Sequence, residues 1–377
     1  MTEAFIGLMS GTSLDGIDGV VVEFGVPGAP PAPRVLAHAH RGFPAALRSE
    51  FAALNIVGTN ELHRGALAAN ALAREAAAVV ESLLESASCE RSRIVAIGSH
   101  GQTVRHRPRE FDETGYTVQL NAPAVLAERT GIDVVADFRS RDLAAGGHGA
   151  PLVPAFHHAM FGRGDASVAV LNLGGIANLT SLGPDGAIAG FDCGPANVLL
   201  DLWCERSTGK AFDPDGAWGG RGKVDNYLLD ACLAEPYFAL PPPKSSGRDL
   251  FNAAWLEDRL AATSARARLR PEDVQATLAE LTARSVADAF RQHLAQAAEL
   301  IVCGGGARNA DLMARLSRTA APARVVASDD RGLPADQVEA AAFAWLARAF
   351  VHRLAGNVAA ATGAAGPRVL GALYPAK

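Results

Sequence analysis

A chain of 377 residues with 35 Lys+Arg against 40 Asp+Glu (net charge −5), 49% hydrophobic and 20% charged residues has the composition of a globular protein of about two domains, not of a disordered tail. With only four lysines, Lys210, Lys223, Lys244 and Lys377, it offers no lysine-rich patch to track a phosphate backbone, so nucleic acid is not an expected partner. No run of about 18 apolar residues suggests a membrane span, Met1–Phe5 has no basic segment leading into an apolar one, and five scattered cysteines without a C-x-x-C fit a reducing cytoplasm.

Phe5 to Met9 and Ile17 to Phe24 are apolar, β-branched runs around the polar tip Ser10 to Gly16, and they predict two strands. A third, Arg34 to Ala39, follows the Pro/Gly-rich turn Gly25 to Pro33. Thr59 to Ala87 has helical periodicity, with Thr59 or Asn60 as N-cap. Ile94 to Ile97 and Ile132 to Val135 predict buried strands on either side of a helix near Ala124 to Arg129. The pattern then restarts: strand Ala166 to Leu173, glycine tip Gly174 to Asn178, return strand Leu179 to Leu182, turn Gly183 to Gly186, strand Ala187 to Phe191. Helices follow from Pro195 to Glu205 and from Pro271 to Leu294, each opened by a proline at its first position. Leu300 to Cys303 predicts a strand running into Gly304-Gly305-Gly306, Asn309 suits the cap of the next helix, and a last helix spans about Asp336 to Leu354. Alternating strands and helices imply an α/β fold. Strand, glycine tip, strand, turn, strand occurs twice, which fits an internal duplication and equally two unrelated hairpins.

The common nucleotide and hydrolase signatures are missing: there is no P-loop, no complete G-x-G-x-x-G after a strand, no G-x-S-x-G and no H-E-x-x-H. What remains are three glycine-rich turns, each directly after a strand: Gly11 to Gly16, Gly174-Gly175 and Gly304 to Gly306. Glycine lets main-chain N–H groups approach an anion, so a lysine-poor chain can hold a nucleotide this way. Taken singly, each turn reads equally as a tight connection. His157-His158, with no cysteine or carboxylate at ligand spacing, reads as helix surface or core, not as a metal site.

The strings Gly7 to Asp18, Ser99 to Thr103, Val135 to Arg139, Gly149 to Pro154, Leu171 to Asn178, Phe191 to Asn197, Pro243 to Arg248, Val302 to Ala307 and Leu370 to Pro375 resemble, in collinear order, the anhydro-N-acetylmuramic acid kinases. That resemblance implies two related α/β domains of the actin-like ATPase (ribonuclease H-like) type with an interdomain active-site cleft. The Gly/Ala-rich stretch between about Phe138 and Gly164 holds the expected domain boundary, giving 1–138, completed by 355–377, and 139–354. The resemblance also implies ATP and Mg²⁺ as cofactors and an amino sugar as substrate. The reaction opens the 1,6-anhydro ring with water and phosphorylates O6. A non-catalytic nucleotide switch and a polyphosphate phosphatase are the competing readings on the same fold. The family leans toward homodimers, and neither membrane nor nucleic acid is implied as a partner.

By the same resemblance Asp192 is the general base; from its place before Pro195 it reads equally as an N-cap. The phosphate and nucleotide turns are Gly11, Thr12, Ser13, Asp15, Gly16 and Asp18; Asn172, Gly174 and Gly175; and Gly304, Gly305, Gly306 and Ala307. Asp15 or Asp18 is placed to hold Mg²⁺ through water, or else to satisfy turn N–H groups. Gln102, Thr103, Asp137 and Arg139, just after strand ends, are assigned to the sugar, with a surface ion pair the alternative for Arg139. Glu339 faces the sugar in the family, but Asp336 to Glu339 also spells a capping box. Two departures from the family strings stand out: Ala196 in place of a glycine, and Asn121-Ala122-Pro123 in place of Gly-Asn-Pro or Gly-Asp-Pro. Ala196 is tolerable if its φ is negative.

Overall fold

The computed structural model describes residues 2–11, 13–25, 33–242, 244–247, 250–263 and 269–377, the last residue of the 250–263 stretch by its main chain alone. Thr12, most of the Gly25–Pro33 turn, Pro243 and Arg248 lie outside the described residues. The chain divides into two compact units, Met1–Met160 with Gln337–Lys377, and Phe161–Asp336.

In the first unit β1 (Glu3–Met9), β2 (Gly16–Phe24) and β3 (Arg34–Gly42) form an antiparallel meander. After α1 (Ala45–Leu54) and α2 (Glu61–Ser86), β4 (Ile94–Ser99) pairs parallel with β1. The hairpin β5 (Gln102–Pro108) and β6 (Gly115–Leu120) stands apart as its own two-stranded sheet. Next come α3 (Pro123–Thr130), β7 (Val134–Ala136) parallel to β4, α4 (Ser140–Leu143) and α5 (Val153–Phe161). The second unit repeats the plan. Its strands β8 (Val168–Leu173), β9 (Ile176–Leu182) and β10 (Ile188–Pro195) are an antiparallel meander. Four helices, α6 (Asn197–Thr208), α7 (Asn226–Leu233), α8 (Ala253–Thr263) and α9 (Pro271–His293), precede β11 (Glu299–Cys303), which is parallel to β8. Helix α10 (Ala310–Thr319) leads to β12 (Arg324–Ala327), parallel to β11. The chain then returns to the first unit with α11 (Val338–Val351), α12 (Ala359–Thr362) and β13 (Ala372–Tyr374), which closes on β7.

Counted within each main sheet, the first five strands of both run third, second, first, fourth, fifth, with the same parallel and antiparallel pairs, and the six-stranded first sheet adds β13 beyond its fifth. This shared order is the duplication expected from the paired hairpins, and it is the ribonuclease H-like, actin-type α/β fold.

The inner strands β1, β2, β4, β8 and β11 are buried on both faces, which explains their near-continuous apolar sequences. In the first unit Ile6, Leu8, Ile17 and Val21 pack with Leu72, Val79 and Leu83 of α2. The opposite face takes α11, whose contact side is largely alanine. A Cβ on Gly7 would run into the carbonyl of Ala340, and one on Gly98 into that of Phe343. Glycine strands and an alanine helix therefore approach more closely than side chains would permit.

The first division, at 160/161, falls inside the Phe138–Gly164 stretch expected to hold it, and the second lies at 336/337, α11 packing on the first sheet. Three expectations need correction. Asn60 does precede α2, but it is left-handed and makes no side-chain cap bond. Pro195 does not open α6; it ends β10 opposite Ile176, and the helix begins at Asn197. The second glycine tip is only Gly174-Gly175, since Ile176 to Asn178 already belong to β9. Ala196 has φ −118, so its methyl group is accommodated.

Candidate active site

Each unit carries a glycine turn after its first strand. In the first unit, Leu14 sits at φ 59, its N–H donates to the Gly11 carbonyl, and the Ser13 hydroxyl donates to Asp15 Oδ1 at 2.7 Å. The turn is braced from the loop after β4: Ser10 Oγ donates to the Gly101 carbonyl at 3.0 Å and Gln102 Nε2 to the Gly11 carbonyl at 3.1 Å. Gln102 is fully buried and acts here as a brace. Thr103 Oγ1 accepts from Gln119. Asp15 is exposed at the turn, whereas the Asp18 carboxylate is engaged by His38 Nε2 at 3.3 Å and His40 Nδ1 at 3.0 Å.

Arg139 is not a surface ion pair. It donates to His100 Nε2 at 2.9 Å and to the Gly149 carbonyl at 2.7 Å. His100 Nδ1 lies 3.2 Å from the Ser10 carbonyl. A carbonyl only accepts and a guanidinium only donates, so the ring must carry its proton on Nδ1. Burial, aided by the Arg139 charge, pushes His100 down to about 3, which keeps it neutral. Burial also lowers Arg139 to about 10, against the charges of Glu339 and Asp142 that favour its cationic form. Asp142 is fully buried and accepts from Gly149 N, Asn357 Nδ2 and Thr362 Oγ1 at 2.7, 2.6 and 2.8 Å. Glu339 does not close a capping box: Gln337 is the N-cap of α11, makes no side-chain cap bond, and leaves Glu339 one position short of the third. Asp336 instead pairs with Arg308. Asp137 is exposed at φ 59 and accepts from the Ser140 hydroxyl.

In the second unit the carbonyls of Gly174 and Gly175 accept from the N–H groups of Asn197 and of Ala196 and Val198, at 3.0 Å each. The turn is thus fixed to the start of α6, the positive end of its dipole. Gly304, at φ 81, accepts from Ala307 N, and its own N–H donates to Ala335. Added Cβ atoms sort these glycines. At Gly304 and Gly306 a Cβ would strike Asn172 and Leu173. At Gly174, Gly175 and Gly305 nothing lies nearer than 3.8 Å, and at Gly11 the nearest atom is the Ser13 hydroxyl at 3.4 Å. The second set is not required by packing within the chain, and its bare backbone is open to a close-approaching group.

Asp192 lies on β10, which runs directly into the start of α6. Its Oδ1 accepts from Asn178 Nδ2 at 2.8 Å and its Oδ2 from Ser246 N at 2.9 Å. Its main chain is held as well, by the Lys244 carbonyl and by Tyr237 Oη at 2.8 Å. The N-cap of α6 is Ala196, so Asp192 caps nothing. Burial raises its pKa above the usual carboxylate value, while donors from Asn178, Ser246 and Ser245 pull it back. A carboxylate so placed is a stronger base than a solvated one.

A family model described as anhydro-N-acetylmuramic acid kinase matches residues 3–376. An anhydro-N-acetylmuramic acid kinase from Cupriavidus pinatubonensis is 58% identical over 99% of this chain and 98% of its own length. The chain belongs to the anhydro-N-acetylmuramic acid kinase family. Another member, from Bordetella petrii, is 59% identical over 99% of this chain and 96% of its own. Among solved structures, a ROK family glucokinase from Streptomyces griseus in complex with glucose and AMPPNP aligns over 92% of this chain and 99% of its own, at 15% identity and a TM-score of 0.41.

Within this family's strings lie several site residues that residue-by-residue reading passed over: His100, Asn178, Asn197, Lys244, Ser245 and Ser246. Nothing local signals that Ser246 meets Asp192, 54 positions away. All five cysteines are buried and none is in a disulfide, and no helix among the described residues is long and apolar enough to cross a membrane.

Proposed function

We propose that this protein is an ATP-dependent kinase that opens the 1,6-anhydro ring of 1,6-anhydro-N-acetylmuramic acid with water and phosphorylates O6, giving N-acetylmuramic acid 6-phosphate and ADP. The observation that carries the reading is the Asp192 carboxylate. It is half-buried and held on both oxygens by donors, with the Ser245 hydroxyl a third, which still leaves the carboxylate acceptor capacity for a proton. Asp192 takes a proton from the water that adds to C1. The C1–O6 bond breaks as O6 forms its bond to the γ-phosphorus of ATP, and ADP departs with the electron pair of the cleaved anhydride. A positioned base of this kind contributes roughly 10²- to 10⁴-fold.

The open glycines fit ATP: Gly11, Gly174, Gly175 and Gly305 present backbone that no internal contact requires to be bare. Ser13, Gly16, Asn172, Gly304, Gly306 and Ala307 shape those turns. Mg²⁺, when bound, neutralises phosphate charge. Exposed Asp15 suits a contact to it through water, and Asp18, already held by two histidines, suits it less. Arg139, Thr103, Asp137 and Glu339 are the sugar-facing groups, and Gln102 stiffens the loop that carries them. A cytoplasmic setting and a homodimer complete the reading.

Incubation with ATP, Mg²⁺ and the anhydro sugar in ¹⁸O water tests it. Sugar-dependent ADP release, label at C1 and none in the phosphate ester are expected. Label in free phosphate without sugar would instead identify a phosphatase.

A further inference from the structure

Asp192, Asn178, Asn172 and Cys303 are direct cross-strand partners on β10, β9, β8 and β11. Direct partners share a sheet face, so the four side chains form one row. The row ends at the base, and immediately after Asp192 the ladder slips: Asp192 pairs with Asn178 but Gly194 with Ala177, leaving Cys193 as the extra residue. Such a bulge re-aims the side chain beside it and weakens the ladder's own hold on its direction. Orientation must then come from side-chain and segment contacts. The Ser246 N–H supplies one, to Oδ2. The Ser245 hydroxyl, from the same segment, is a second donor. Asn178 supplies the contact from within the sheet, to Oδ1, and because a carboxylate only accepts, the amide group facing it must be Nδ2.

We propose that Asn178 is a positioning residue: from β9 its amide fixes the Asp192 carboxylate for proton transfer from water. The inference rests on Asp192 being the base. The other titratable groups around the carboxylate are Cys193 and Tyr237, both pushed upward chiefly by burial and therefore neutral, and Lys244 on the 244–247 segment. His293, at the end of α9, stacks edge-on against Phe191.

The test compares kcat/KM for the anhydro sugar against pH, at saturating ATP, in native protein, Asn178→Leu, Asn178→Asp and Asp192→Asn. Loss of the donor favours protonated Asp192, so in Asn178→Leu the acid limb moves up by about one to two pH units, the worth of one hydrogen bond to a charge. In Asn178→Asp, where a second carboxylate faces the first, it moves further in the same direction. Asn178→Asp exchanges only NH₂ for O, and it keeps the test open if the leucine variant does not fold. An acid limb unmoved in a folded variant, with Asp192→Asn inactive, overturns the inference and leaves the function standing. Undiminished turnover by Asp192→Asn overturns the function itself.

Discussion

An alanine at Gly175 separates what the fold needs from what a ligand needs. The added Cβ has Val198 Cβ as nearest neighbour at 3.8 Å, an ordinary contact, and Gly175 is not among the positive-φ glycines. At such a site Gly→Ala stabilises by about 0.4–1 kcal/mol, by restricting the unfolded chain. In a unit of this size that corresponds to a melting temperature unchanged or raised by about 1–4 °C. If the Gly174-Gly175 backbone approaches the phosphates of ATP, the same methyl occupies their space, and KM for ATP rises at least about tenfold. KM for the sugar changes much less. Gly98→Ala is the converse control: its Cβ meets the Phe343 carbonyl, and overpacking against a rigid helix costs about 1–3 kcal/mol or more. Thermal melts and steady-state kinetics of both variants decide the matter. Melting several degrees lower for Gly175→Ala, or an unchanged KM for ATP, would refute the reasoning.

Asp192→Asn should lower kcat by roughly 10²- to 10⁴-fold while the far-UV spectrum and ATP binding persist; calorimetric titration with a non-hydrolysable ATP analogue checks the second half. Asp142→Asn turns a donor toward one of three incoming donors, so it should cost about 2 kcal/mol and release Gly149 from Arg139, seen as a lower urea midpoint and a higher KM for the sugar. Buried His100 and His157 are both depressed to about 3. Below about pH 6.5 the unfolded chain therefore binds protons that the native state refuses, and stability falls with falling pH by about 1.4 kcal/mol per unit for each ring. Urea unfolding at a series of pH values measures that slope, and His157→Phe, if it folds, should reduce it.

The central strands were readable because they are apolar on both faces, as Val20 to Val22 and Val168 to Leu171 show. The hairpin Gln102–Pro108 with Gly115–Leu120 was not. Arg105, His106 and Arg107 interrupt any alternation, since both of its faces are partly exposed. Helix α9 is marked by Pro271 and a long periodic stretch, whereas the start of α6 is ambiguous because Pro195 suits a strand end as well as a helix start. At the site, local pattern marks the glycine turns but leaves Asp192 open between base and N-cap, the resemblance alone favouring the base, and it gives no sign of what holds either. Arg139 finds His100 39 positions away, and Ser246 reaches Asp192 across a segment with no periodic signal. Such pairings are set by tertiary closure, which short-range propensity does not encode.

The second unit is inserted whole between α5 and α11, which has a consequence for biosynthesis. When the ribosome has delivered residues 1–160, the first sheet still lacks β13 on its edge and the helix that shields Phe5, Gly7 and Gly98. The inserted segment, complete at Asp336, is free to fold while the earlier half waits with an apolar face uncovered. A nascent chain stalled between those points is therefore the form of this protein most in need of a chaperone.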